Sequence, residues 1–173
     1  MTEINDYDKA AHKFYNTQKI TGPSILSWDI FSTYFDKLCK NYADIHSLNV
    51  LSKTNNWSYS SVFEEELLQK ESVIIVTDPY LSIVHASNNV HGMNGYKPEE
   101  ILGKKPKMFQ GEGTNRETTA YISEAVKNKV PFEATILNYR KNGEPYKCWI
   151  KGGPVFDKRG KVVNFIAFEK EVA

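Results

Sequence analysis

The side chains best placed to do chemistry gather in one stretch, GKKPKMFQGEGTN, from Gly103 to Asn115. Lys104, Lys105 and Lys107 could attract an anion, although a solvated loop face is the plainer reading of such a cluster. Gly111-x-Gly113 lacks the preceding strand and the later glycine of a dinucleotide site. The two cysteines, Cys39 and Cys148, stand far apart without a C-x-x-C partner, which argues against a disulfide framework or a zinc site. Cys148 falls in an alternating strand and reads as a small hydrophobe facing the core. His85 and His91 sit near turns and read as hydrogen-bonded structural residues. With no nucleophile–base pair, metal cluster or phosphate loop, the sequence carries no constellation for an enzyme.

Those residues need elements to hold them, and the chain changes texture near Glu71. Before it, apolar residues recur at helical intervals: in SWDIFSTYFDKLCKNY, Ile30, Tyr34, Leu38 and Tyr42 fall four apart, with Ser27 or Asp29 as a cap. A short helix is expected around Tyr7 to Tyr15, a loop at Gly22-Pro23, and a helix in SSVFEEELLQK capped by Ser60 or Ser61. After it, SVIIVTDPYLSIVHAS predicts two strands around an Asp-Pro turn. NNVHGMNGYKPEEILG predicts two single-turn helices parted at Gly95, with Pro98 opening the second. NRETTAYISEAVKNK predicts an amphipathic helix with Asn115 as N-cap, Thr119, Ile122 and Val126 on one face, and Pro131 as its stop. Three strands follow, turning at Asn142-Gly143 and Arg159-Gly160, and Tyr146 and Trp149 should lie on opposite faces of the second. The order β-β-α-α-α-β-β-β describes an α+β domain with a five-stranded antiparallel sheet and short helices on one side, over residues 71–173, preceded by an N-terminal helical extension over 1–70 that caps it or dimerises.

Composition narrows the partners. Twenty-two basic and 21 acidic side chains leave a net charge of +1, so no overall field draws the chain to nucleic acid or an acidic membrane. No apolar run approaches the roughly 18 residues a bilayer span needs, and a cytoplasmic protein is expected. Ten Tyr, nine Phe and three Trp supply a large core or a self-association face.

From Val73 to Val172 the chain resembles a PAS domain, and within that superfamily it is most similar to the LOV branch of flavin-binding light sensors. The resemblance rests on VTDP at Val76–Pro79, GYKPEEILGK at Gly95–Lys104, FQGEGTNRET, ILNYRKNGEPY at Ile136–Tyr146 and GKVVNFIAF at Gly160–Phe168, in that order and spacing. The LOV motif at the opening stretch reads Gly-x-Asn-Cys-Arg-Phe-Leu-Gln-Gly, and its thiol forms a reversible adduct with the photoexcited flavin. Gly103, Gln110 and Gly111 match it, but the cysteine position is Pro106, the asparagine is Lys105 and the phosphate-contacting arginine is Lys107; a second phosphate arginine falls at Ser123. Of the residues that read the polar edge of the flavin, Asn138 matches the first asparagine, Cys148 stands for the second, and Glu169 stands for the glutamine of the last strand. A haem-binding PAS domain would carry its axial histidine on the long helix, which has none here.

The resemblance therefore implies a cofactor-binding set of Asn138, Gln110, Lys107, Cys148, Glu169 and Pro106 in which the frame is kept and most ligand-reading groups are changed. A thiol-free wall cannot run adduct photochemistry, and lost amides cost recognition. The expectation is a non-photoactive, non-enzymatic sensory or interaction module, holding no flavin and no metal, that signals as a homodimer or through a partner protein. The aromatic segment Trp28–Tyr42 is the expected dimer surface or cover. Because the chain ends directly after its last strand, output is expected to pass to another protein or through residues 1–70. The alternative is a redox sensor binding FMN or FAD without the adduct.

Overall fold

The computed structural model describes residues 27–58 and 63–173, with side chains of the first helix from Ser32 onward. The expected helix at 7–15, the Gly22-Pro23 loop and the Ser60/Ser61 cap lie outside the described residues. Residues 37–173 form one compact unit.

Helix α1 runs over Ser27–Thr54, twelve residues beyond the periodic segment that announced it, with Ser27 and Asp29 inside it rather than at a cap. Its buried stripe also differs from the expected one. Asn41, Asp44, Ile45 and Leu48 are buried, whereas Tyr42 is 57% exposed, as are Tyr34 and Phe35 for the most part. The physical reason is polar pairing: Asp44 accepts from the Asn88 backbone N–H at 2.7 Å and from its amide at 2.8 Å, and the Asn41 amide donates to the Leu67 carbonyl at 3.3 Å. These bonds turn the stripe inward by a rotation that apolar spacing alone does not show. SSVFEEELLQK yields a short π-helical segment, Glu65–Gln69, that buries Leu67.

Strands β1 (Val73–Thr77), β2 (Ile83–Ala86), β3 (Phe132–Tyr139), β4 (Pro145–Phe156) and β5 (Val162–Val172) form one antiparallel sheet in the order β2-β1-β5-β4-β3. β1 is buried at every position, as its β-branched run requires of a strand covered on both faces. The hairpins are set by side-chain turns: Asp78 Oδ1 accepts from the N–H groups of Tyr80 and Ser82, and Asp157 Oδ1 accepts from those of Arg159 and Lys161. At the third hairpin Asn142 Oδ1 accepts from the Glu144 N–H, and Gly143 takes φ +88°.

On one face of the sheet lie α2 (Val90–Asn94), α3 (Pro98–Ile101), a 3-10 turn (Pro106–Phe109) and α4 (Arg116–Asn128). Gly95 ends α2 at φ +78°, and Asn115 caps α4 by accepting from the N–H groups of Glu117 and Thr118. α4 closes on Lys129 in the left-handed region, two residues before Pro131. The core has two layers. Ile75, Ile83, Val90, Ile101, Phe109 and Ile136 pack between sheet and small helices, while Ile45, Leu48, Trp57, Ile74, Val76 and Val155 pack between the opposite sheet face and the C-terminal half of α1. Asn164, 1% exposed, ties that second layer: its Oδ1 accepts from Asn55 Nδ2 at 2.8 Å and Trp57 Nε1 at 2.9 Å, and its Nδ2 donates to the Thr77 carbonyl at 2.9 Å.

Candidate functional site

Between the sheet and α4 lies a cavity of about 510 Å³, within the range of small-molecule sites. The alternation of β3 and β5 aims Ile136, Asn138, Phe165 and Glu169 into it, and the 3.6-residue period of α4 aims Thr119, Ile122, Ser123 and Val126 from the other side. The stretch 105–110 closes it through Lys105, Pro106, Lys107, Phe109 and Gln110.

That stretch is held from both ends. The Ile83 N–H donates to the Lys104 carbonyl and the Gly103 N–H to the Ile83 carbonyl, both at 2.8 Å, which staples its start to β2. At its end the Gly113 N–H donates to Tyr139 Oη, and the Thr114 hydroxyl donates to the Leu137 carbonyl at 2.7 Å. A Cβ on Gly111 would stand 2.5 Å from the Tyr139 ring, so this glycine serves close packing on β3.

Five of the six residues marked in the sequence therefore meet around one cavity: Pro106, Lys107, Gln110, Asn138 and Glu169 all line it. Cys148 does not. It is fully buried beside the cavity, with Sγ 3.7 Å from Glu169 Oε2, and the burial and this neighbouring carboxyl push its thiol pKa well up. Glu169 is 5% exposed, and burial pushes its carboxyl up to about 7, against the small opposing pull of the Cys148 thiol.

Three features escaped the sequence reading. Arg116, the first residue of α4, reaches the cavity mouth beside Lys105 and Lys107; its place next to the N-cap was the available signal. Among the described residues none of these three cations has an ion-pair partner. Behind Asn138, the Tyr146 hydroxyl and the Asn94 amide nitrogen are buried without a well-formed hydrogen bond, and burial raises the phenol pKa, with Cys148 and Glu169 adding to it. Tyr146 packs with Val90 and Met93 of α2, while Trp149 on the opposite face donates to Glu133 at 3.0 Å, the arrangement the alternation predicts. His91 is exposed and His85 is off the cavity, its imidazole held down to about 4 by burial.

The sheet order, the small helices on one face and a cavity beneath α4 define a sensory fold, and residues 70–172 match the family model described as PAS domain. The chain belongs to the PAS domain family. Its homology is to the LOV domains of blue-light photoreceptors: it is 37% identical over 119 residues to Protein TWIN LOV 1 of Arabidopsis thaliana, covering 66% of this chain and 30% of that protein. It is 30% identical over 102 residues to the blue-light-activated histidine kinase of Brucella anthropi, covering 57% of this chain and 21% of the kinase. A solved light-oxygen-voltage domain studied with a flavin analogue superposes with a TM-score of 0.61 at 23% identity, over 66% of this chain and 87% of that one. The chain thus matches less than a third of the length of either relative. Among the described residues no helix is long and apolar enough to cross a membrane, and no group of acidic, histidine or cysteine side chains could hold a metal.

A flavin, which that family implies, fits these residues only in part. The apolar slot, Gln110, Asn138 and the basic mouth suit a planar ring with an anionic tail. The inner end matches it less well, because Cys148 behind Glu169 offers no amide, and Glu169 presents an amide-like donor and acceptor only while it holds its proton.

Proposed function

We propose that the chain is a non-enzymatic LOV-type sensory module that does not run cysteine–flavin photochemistry. The observation that carries this reading is the cavity wall itself: Pro106 occupies it, and no thiol lines it. Cys148 is no substitute, since a buried thiol with a raised pKa is a poor nucleophile. The signal leaves through β5. Glu169 borders both the cavity and a smaller pocket of about 310 Å³ lined by Lys37 and Asn41 of α1, so a change of occupant at Glu169 alters the packing under that helix. Output then passes to a second copy or a partner protein over the exposed side of α1, where Tyr42 stands.

The test is spectroscopic. The purified chain is incubated with FMN, passed through a desalting column and illuminated with blue light. The expected result is no light-driven, dark-reversible loss of visible flavin absorbance, and the appearance of one overturns the proposal. A second reading, a flavin redox sensor without the adduct, is favoured by the retained Gln110 and Asn138 and by the basic mouth. Stoichiometric retention of FMN, with a reduction potential that shifts on Asn138→Ala, would establish it in place of a ligand other than flavin. The role of α1 is tested by solution scattering of the whole chain against one beginning near Phe63; an unchanged oligomeric state and stability count against it.

A further inference from the structure

The cavity contains a carboxyl group that nothing among the described residues neutralises. Glu169 sits on β5 between Val73 of β1 and Ile150 of β4, and among the described residues its one close polar neighbour is the Cys148 thiol. The charged groups nearby are turned away or already matched. On the α1 side Lys37 is paired to Glu71 at 2.6 Å, and Lys70 to Glu65 and Glu66 at 2.8 and 3.0 Å. Further along β5, Lys170 points to the opposite face, and Glu171 is paired to Arg140 at 2.6 Å. Across the cavity α4 presents only Thr119, Ala120, Ile122, Ser123 and Val126 behind Arg116, which belongs with Lys105 and Lys107 to the exposed mouth. The Tyr146 phenol stays neutral.

We infer that Glu169 reads the inner end of the cavity's occupant as a neutral carboxylic acid, so that the cavity selects a planar apolar ligand with a hydrogen-bond acceptor at its buried end and an anionic group at its mouth. This inference rests on the proposed reading of the cavity as a ligand site. A neutral acid presents one donor and one acceptor, the pattern of a primary amide, whereas the ionised form presents acceptors only. A ligand acceptor facing the carboxylate would be left opposite like lone pairs in a dry site, and such a loss is severe. Binding therefore weakens once the acid ionises, and an anionic tail at the mouth is attracted by the Lys105, Lys107 and Arg116 side chains that stand there.

Fluorescence titrations of the full chain from pH 6 to 8.5 test it, with FMN as a probe that carries ring acceptors and a phosphate. With ionisation near pH 7, the FMN dissociation constant should rise by about 30-fold across that range. In Glu169→Gln, which presents the amide pattern at every pH, it should change less than about 3-fold. A parallel titration uses 1-anilinonaphthalene-8-sulfonate, an apolar anion without ring acceptors, whose binding in the cavity is identified by its loss in Ser123→Trp. A flat FMN profile in the natural chain overturns the inference, as does an equal slope in both proteins or an affinity that rises with pH, which would mark a cationic ligand group against a carboxylate. FMN failing with both proteins at pH 6 while the sulfonate binds overturns it too, and leaves the cavity standing as a ligand site. If neither probe binds, the reading of the cavity itself fails.

Discussion

Stability as a function of pH should show two buried groups working against each other. Glu169 has an ordinary carboxyl value of 4.5 and is pushed up to about 7 in the fold by burial. Between those values the unfolded chain has released the proton and the folded chain still holds it, so stability falls as pH rises from about 4.5 to 7 and is level above that. At about 1.4 kcal/mol per pH unit of separation the loss is about 3 kcal/mol. His85 runs the other way. Burial takes its imidazole from the ordinary 6.5 down to about 4, so the folded chain stays neutral where the unfolded chain binds a proton, and stability rises with pH from about 4 to 6.5. Its part is about 2 to 3 kcal/mol, the lower figure allowing for its residual exposure. Over pH 4.5–6.5 the two slopes nearly cancel. Urea denaturation followed by tryptophan fluorescence should therefore show a nearly level natural protein, a Glu169→Gln variant that gains stability as pH rises, and a His85→Phe variant that loses it. Asp44, raised by burial, and Glu71 and Glu100, lowered by their bonds to Lys37 and Lys141, are present in all three proteins and drop out of the differences. A difference between Glu169→Gln and the natural chain that stays constant from pH 4.5 to 7 would refute the reasoning.

Three further substitutions probe the scaffold around the cavity. Asn164→Leu removes the shared acceptor of the Asn55 amide and the Trp57 indole N–H together with the donor to the Thr77 carbonyl, all in a buried layer, and should cost about 3 kcal/mol in urea denaturation; a loss below about 1 would show that the tie of α1 to the sheet is not energetic. Gly111→Ala forces the Tyr139 ring aside from a 2.5 Å contact and should cost about 1–3 kcal/mol, with partial recovery in the double variant Gly111→Ala/Tyr139→Leu; additive losses would contradict the packing account. Asn115→Ala removes two cap acceptances from α4 and should lower stability by about 1 kcal/mol, read as a drop in the thermal midpoint, whereas Asn115→Asp should leave it nearly unchanged.

Much of the fold was legible because its signals are local. Asp78, Asn142 and Asp157 bond to backbone within four residues, Gly95 and Gly143 adopt angles other residues avoid, and Asn115 caps the turn that follows it. Pro106 was legible for the same reason: a proline lacks a thiol wherever it stands. The buried stripe of α1 was not, because it is chosen by Asn88 and Leu67, which lie 44 and 26 residues away from their partners on the helix. The sequence shows only that Gly111 and Gly113 fall short of a dinucleotide site, and the structure gives them to Tyr139.

The chain by itself thus determined the order of the strands and small helices, the hairpins and the Asn115 cap, all of which depend on neighbours in sequence. Tertiary structure alone decided what the polar residues of the site became. Lys105, Lys107 and Arg116, from two elements, meet at one mouth; Cys148 retreats behind Glu169; and Glu169 becomes an unpaired acid. Burial and charge pairing are sums over everything within a few ångströms, and β1, β4 and β5 bring to Glu169 residues from Val73 to Ile150 that no local window contains.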